Sequence, residues 1–237
     1  IDYLRKKVSS KIKSRFAYAI ARKYVYNLLD ERKLIIKEIK GIENYAGLDS
    51  GAIVTCNHFN AFESFAMQLA YEASGQKDRN FYRIIREGNY TNPPKPFGLF
   101  MRHCNPLPLS SQLPTMKKFL KAVSVLLGRG ETILIYPEQG MWWNYRKPRP
   151  MQEGAFALAV RNKAPIVPIF ITMEDSDVID GDGFPVQEFT LHILPAIYPD
   201  PTLSPTEAKA KMNKENYEAW VAVYEETYGK PLVYSEE

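Results

Sequence analysis

Cysteine is scarce in this 237-residue chain: Cys56 and Cys104 are the only two. Two cysteines cannot staple a disulfide-rich scaffold, so a reducing compartment is the expectation. Histidine is nearly as scarce, with His58, His103 and His192 alone. Cys56, His58, His103 and Cys104 could be ligands, but Cys-x-His and His-Cys match no common zinc pattern, and no metal is expected. No run of 18 or more apolar residues occurs, so no transmembrane helix is expected. No Gly-x-Ser-x-Gly occurs either, which argues against a serine hydrolase elbow. Secretory signals, internal repeats and low-complexity tracts are not visible.

What the chain does have is a core and an aromatic load. Apolar residues make up 45%, and 15 Tyr and 12 Phe suit a lipid-facing surface without proving one. The net charge of +4 is unevenly spread. Residues 1–23 carry Arg5, Lys6, Lys7, Lys11, Lys13, Arg15, Arg22 and Lys23 against Asp2 alone. In the same stretch Leu4, Val8, Ile12, Phe16 and Ile20 recur every four residues, the pattern of a basic amphipathic helix. Its apolar stripe can lie in a bilayer interface while the cations meet anionic headgroups. The competing reading is a helix docked on its own domain. A nucleic-acid arm finds no other support, and nucleic acid is not an expected partner.

Periodicity then alternates. Strands are expected at 33–40, 52–55, 81–86, 106–109, 132–136, 166–172 and 189–197, with helices at 62–74, 114–127, 152–162 and 207–228. Strands alternating with helices mean an α/β fold, a single mixed, largely parallel sheet flanked by helices, here with an N-terminal amphipathic helical appendage. Residues 1–32 are read as the membrane-contact segment and 33–237 as one domain. Trp142 and Trp143 are read as core anchors or lipid contacts, His192 as structural, and the stripe Tyr217, Trp220, Val221, Tyr224 as core.

The most informative stretch is Cys56-Asn57-His58-Phe59-Asn60-Ala61-Phe62-Glu63, which joins a buried strand to a helix. Open α/β sheets keep reactive groups at such strand ends. Imidazole suits proton abstraction from a hydroxyl, and a nearby carboxylate can fix its tautomer. Five residues turn a helix through roughly 500°, leaving the two side chains about 140° apart. They meet only if His58 lies in the loop and Glu63 in the first turn. A capping role for Glu63, with Asn60 as N-cap, is the plainer alternative.

Four blocks in order resemble the glycerolipid, or lysophospholipid, acyltransferase family over about residues 33–172. They are Asn57-His58-x4-Glu63, Phe97-Gly98 through Pro108, Tyr136-Pro137-Glu138, and Ala164-Pro165-Ile166-Val167-Pro168-Ile169. The resemblance implies acyl transfer from acyl-CoA or acyl carrier protein to the hydroxyl of a lysolipid acceptor. His58 would be the general base and Glu63 its orienter, with backbone N–H groups holding the oxyanion and no cofactor. It places Pro137, Glu138 and Gly140 in acceptor binding or site architecture. It also implies a peripheral or monotopic protein on the cytoplasmic face of a membrane, the lipid surface being a partner.

The chain departs from the family pattern in four places. Glu63 replaces the usual Asp, Ser110 stands near an expected basic residue, Glu153 stands where a lysine is common, and Gln139-Gly140-Met141 replaces Gly-Thr-Arg. The arginine credited with gripping phosphate is therefore missing, and Arg146, Lys147 and Arg149 are the expected substitutes. Otherwise the acceptor is a non-phosphate lipid or glycan, or the protein is a non-catalytic lipid-surface binder.

Overall fold

The computed structural model describes residues 1–76 and 79–234, so the last three residues of the expected 33–237 domain lie outside the described residues. In chain order the elements are α1 (Val8–Asp30), β1 (Ile35–Lys40), α2 (Glu43–Ala46), β2 (Ala52–Cys56), α3 (Glu63–Ala73), β3 (Phe81–Arg86), α4 (Glu87–Thr91) and α5 (Gly98–His103). Then come β4 (Pro106–Leu109), α6 (Leu113–Gly128), β5 (Thr132–Ile135), α7 (Gly154–Asn162), β6 (Ile166–Ile179), β7 (Pro185–Ile193) and α8 (Pro205–Tyr228).

The strands form one sheet in the order β1-β7-β6-β2-β5-β3-β4. All neighbours are parallel except β6 and β7. The sheet is thus mixed and largely parallel, as expected. β2 is buried along its whole length because it is central and covered on both faces. Its alternation sorts two cores. Val54 and Cys56 pack with Val25, Leu28, Ala66 and Met67 of α1 and α3. Ile53 packs with Phe119, Val123, Phe156 and Met212 of α6, α7 and α8. The stripe of α8 is core in part: Trp220 and Tyr224 are buried against Phe170, while Tyr217 and Val221 are only half-buried.

Two strands differ from the sequence expectation. β6 runs on to Ile179, and β7 covers 185–193 rather than 189–197. The outer half of β6 carries Glu174, Asp175 and Asp177 and is mostly exposed. It pairs with β7 as an antiparallel arm, Glu174 opposite Glu188. A polar, solvent-facing strand carries no hydrophobic periodicity, so the sequence marked no element there.

α1 is more than an appendage. Ala17, Val25 and Leu28 are buried. The stripe foreseen as its apolar face points the other way: Val8 is 71% exposed, Ile12 63% and Phe16 63%. The helix does dock on its own domain, but through a different face, and of the foreseen stripe Leu4 packs against the core while Val8, Ile12 and Phe16 face outward.

Candidate active site

β2 and β5 run parallel with Thr55 opposite Ile135, so their carboxyl ends deliver His58 and Tyr136-Pro137-Glu138 to the same place. The exit from β2 is fixed by Asn57. Its side-chain amide donates to Ile171 O (3.0 Å) and accepts from Ile171 N (2.8 Å), extending the ladder toward β6 by one more rung. Sequence reading gave Asn57 no role; its place just before the histidine was the available signal.

His58 lies in the loop and Glu63 opens α3, the arrangement the spacing required. Nδ1 of His58 hydrogen-bonds Oε1 of Glu63. Oε2 of Glu63 accepts from Phe59 N (2.7 Å) and Asn60 N (2.9 Å). The Asn60 side chain accepts from Phe62 N instead of Glu63 N, so only half of a capping box forms, and the N-cap position falls to Phe62. Burial pushes the Glu63 carboxyl above its ordinary range, while the His58 ring and the two N–H groups pull it back. An ionised carboxylate only accepts, so Nδ1 carries the proton and Nε2 is left with its lone pair. The Tyr136 ring stacks on the imidazole at 4.2 Å and 17°, fixing the ring plane.

Glu138 is buried and serves the backbone. Its carboxylate accepts from His58 N (3.0 Å), Arg149 N (2.9 Å) and Arg149 Nη2 (2.8 Å). Burial raises this carboxyl, and the N–H donors and the guanidinium counter it. Arg149 also donates to His58 O (3.4 Å) and to Gly140 O, and lies 4.7 Å from the Trp142 ring centroid. Glu138 and Arg149 thus form a buried clamp that holds the loop carrying His58.

A cavity of about 1190 Å³ adjoins the pair. His58, Glu63, Tyr136, Pro137 and Gly140 line it, as do Tyr18, Ala21 and Val25 of α1 and Phe119, Leu120 and Leu158 of α6 and α7. Most of the wall is apolar, the character of a ligand pocket.

Arg146, Lys147 and Arg149 are not among the lining residues. Arg146 pairs with Asp175 (2.6 Å) and Gln187 (2.9 Å), Lys147 Nζ donates to Val233 O (2.7 Å), and Arg149 is locked onto Glu138. With these partners none of the three, expected to reach the acceptor, lines the cavity. The cations on the cavity wall are Arg22, Arg83, Arg86 and Arg161, which sequence reading passed over because they are spread over three separate elements, α1, β3 and α7. Arg22 pairs with Glu72, and Arg83 ties β3 to Ser64 and Gln68 of α3. Arg86 donates to Gln139 O (2.9 Å) and is exposed, without a carboxylate partner among the described residues. Gln139 takes φ 59° where the resembling block has glycine, so the loop keeps a glycine-like bend. Trp142 and Trp143 are exposed beside this loop. His192 is structural, bonding Thr172 within the sheet. Among the described residues no group of three or more His, Cys, Asp or Glu is arranged to hold a metal ion.

The acyltransferase family model matches residues 36–172. The chain is similar in structure to the 1-acyl-sn-glycerophosphate acyltransferase PlsC from Thermotoga maritima, with a TM-score of 0.56 and 17% identity over 99% of this chain and 87% of that one. No curated protein sequence matches significantly.

Proposed function

Because the chain belongs to the acyltransferase family, we propose that it moves a fatty acyl group from a thioester, acyl-CoA or acyl carrier protein, to the hydroxyl of a lysophospholipid-type acceptor. The observation that carries this reading is the His58–Glu63 pair on the wall of a large apolar cavity. Nε2 of His58 takes the hydroxyl proton as the oxygen attacks the thioester carbonyl. The tetrahedral intermediate collapses, the C–S bond breaks, and the imidazolium returns the proton to the thiolate. Glu63 holds the tautomer and balances the imidazolium. Glu138, Arg149 and Asn57 are positioning residues for His58.

Arg86 and Arg161 are the groups proposed to meet the acceptor's phosphate. Both line the cavity, and Arg161 makes no side-chain hydrogen bond or ion pair among the described residues. Residues 1–32 are proposed to contact the membrane through Val8, Ile12, Phe16 and Ile20, which makes this a peripheral or monotopic protein of the cytoplasmic membrane face, with residues 33–237 carrying the chemistry. The loss of the family arginine to Met141 favours one second reading, a neutral lipid or glycan acceptor.

Transfer from palmitoyl-CoA and palmitoyl-acyl carrier protein to lysophosphatidate and to monoacylglycerol tests both. Transfer to lysophosphatidate is expected, with KM rising about tenfold in the Arg86→Gln/Arg161→Gln variant, the order of one lost charged hydrogen bond. Preference for monoacylglycerol, untouched by that variant, selects the second reading. Thioester left intact with every acceptor overturns both.

A further inference from the structure

Away from the catalytic cavity, a second cleft of about 180 Å³ opens where the chain enters α1. Arg5, Lys13, Arg102 and His103 line it, together with Ser9 and Ser10. None of these four basic groups is in an ion pair among the described residues. Lys13 has no side-chain hydrogen bond there either. The Arg102 guanidinium is held in place by Tyr90 O (3.1 Å) and Thr91 O (2.9 Å), and Arg5 reaches Arg102 O (3.4 Å). Backbone carbonyls orient these forks without neutralising them.

Asp2 is the one acid among the described residues that line the cleft, and its charge offsets one of the cations. Its carboxylate accepts from Lys6 N and Lys7 N, both at 3.1 Å, so the first amides of the helix entrance are satisfied by the protein. The charge left over is positive. Burial and then Arg5, Lys13 and Arg102 hold the His103 imidazole below its ordinary range. Asp2 offsets one of the three permanent cations, and the excess positive charge converging on a concavity of this size costs free energy that a further anion would relieve.

Position indicates the source of that anion. Lys13 and Ser9 sit on α1 next to Ile12 and Val8, whose side chains are 63% and 71% exposed. A helix whose stripe lies in the bilayer interface keeps its flanks at headgroup depth. We propose that this cleft binds the phosphate of an anionic membrane lipid, Arg5, Lys13 and Arg102 supplying the donors, and that it sets the depth and orientation at which α1 docks. The proposal deepens the membrane-contact reading above and rests on it.

Vesicle binding separates a built site from diffuse attraction. The full chain is mixed with phosphatidylcholine vesicles containing or lacking phosphatidic acid. Arg5→Gln/Lys13→Gln is compared with Lys6→Gln/Lys11→Gln, an equal loss of charge on the same segment outside the cleft. The cleft pair is expected to lose about tenfold more affinity for the phosphatidic acid vesicles than the control pair, the scale of a lost charged hydrogen bond. Equal losses overturn the proposal and leave only general electrostatics. Lys13→Gln alone, which removes no contact within the protein, repeats the comparison without risk to folding. Inorganic phosphate at matched ionic strength gives the other source: if it binds the cleft as well as dispersed dihexanoyl phosphatidate does, the lipid assignment is overturned. If vesicles are not bound at all while dihexanoyl phosphatidate still binds in a Lys13-dependent way, the membrane reading fails and the phosphate site stands.

Discussion

The single contact between His58 Nδ1 and Glu63 Oε1 decides which imidazole nitrogen can act as a base. Glu63→Gln tests this contact with almost no change in shape. The glutamine oxygen can still accept from Phe59 N and Asn60 N, but its amide then donates to Nδ1 and moves the ring proton to Nε2. Activity is expected to fall on the order of a hundredfold to ten-thousandfold, the usual contribution of a positioned base. Stability should move the other way. Burial raises the Glu63 carboxyl, so the stability linked to it is full below the unfolded value and is lost as pH rises through the folded one. At neutral pH the neutral glutamine should therefore melt no lower than the parent, as thermal unfolding will report. Glu138 behaves differently, because its buried carboxylate faces a buried guanidinium. Glu138→Ala strands Arg149 and two backbone N–H groups, a loss of about 3–5 kcal/mol. That corresponds to roughly 10 °C in melting temperature for a chain of this length. Glu138→Ala/Arg149→Met should cost much less than the two single losses combined, as a double-mutant cycle of melting curves will show.

At the scale of elements, the legible parts were those with one dominant physical signal. The β2–loop–α3 unit announced itself because a buried, mostly apolar strand meets a histidine and then an acid at a spacing only a loop-to-helix junction can satisfy. The clamp was half legible: Glu138 stood out, but Arg149 read as a ligand for substrate because nothing local reveals that its partner is Glu138 eleven residues away. Arg86 and Arg161 were invisible, since only the sheet order and the packing of α7 carry them to one cavity. α1 was legible in its stripe and misleading in its docking. The periodic residues Val8, Ile12 and Phe16 face outward, and the face that packs is set by the less regular Ala17, Val25 and Leu28. Replacing Val8, Ile12 and Phe16 together by Ser should leave the melting temperature within a few degrees. The same change should lower affinity for anionic vesicles at least about tenfold, since each apolar side chain brings on the order of 1.5–3 kcal/mol when fully buried. A melting loss with unchanged vesicle binding would instead assign the stripe to the fold.

For the whole molecule, the sheet, the cavity and α1 form one arrangement. β2 and β5 present the base, while α1, α3, α6 and α7 wall a chamber large enough for an acyl chain. The outer stripe of α1 is free to face lipid, where such chains reside. Every step of the proposed reaction passes through one nitrogen, Nε2 of His58. The most direct measurement is therefore thiol release from palmitoyl-CoA, with and without lysophosphatidate, by the parent chain and by His58→Ala at matched melting temperature. Release that depends on the acceptor and falls at least about a hundredfold in His58→Ala is the expected result. Undiminished acceptor-dependent release from His58→Ala would contradict the account.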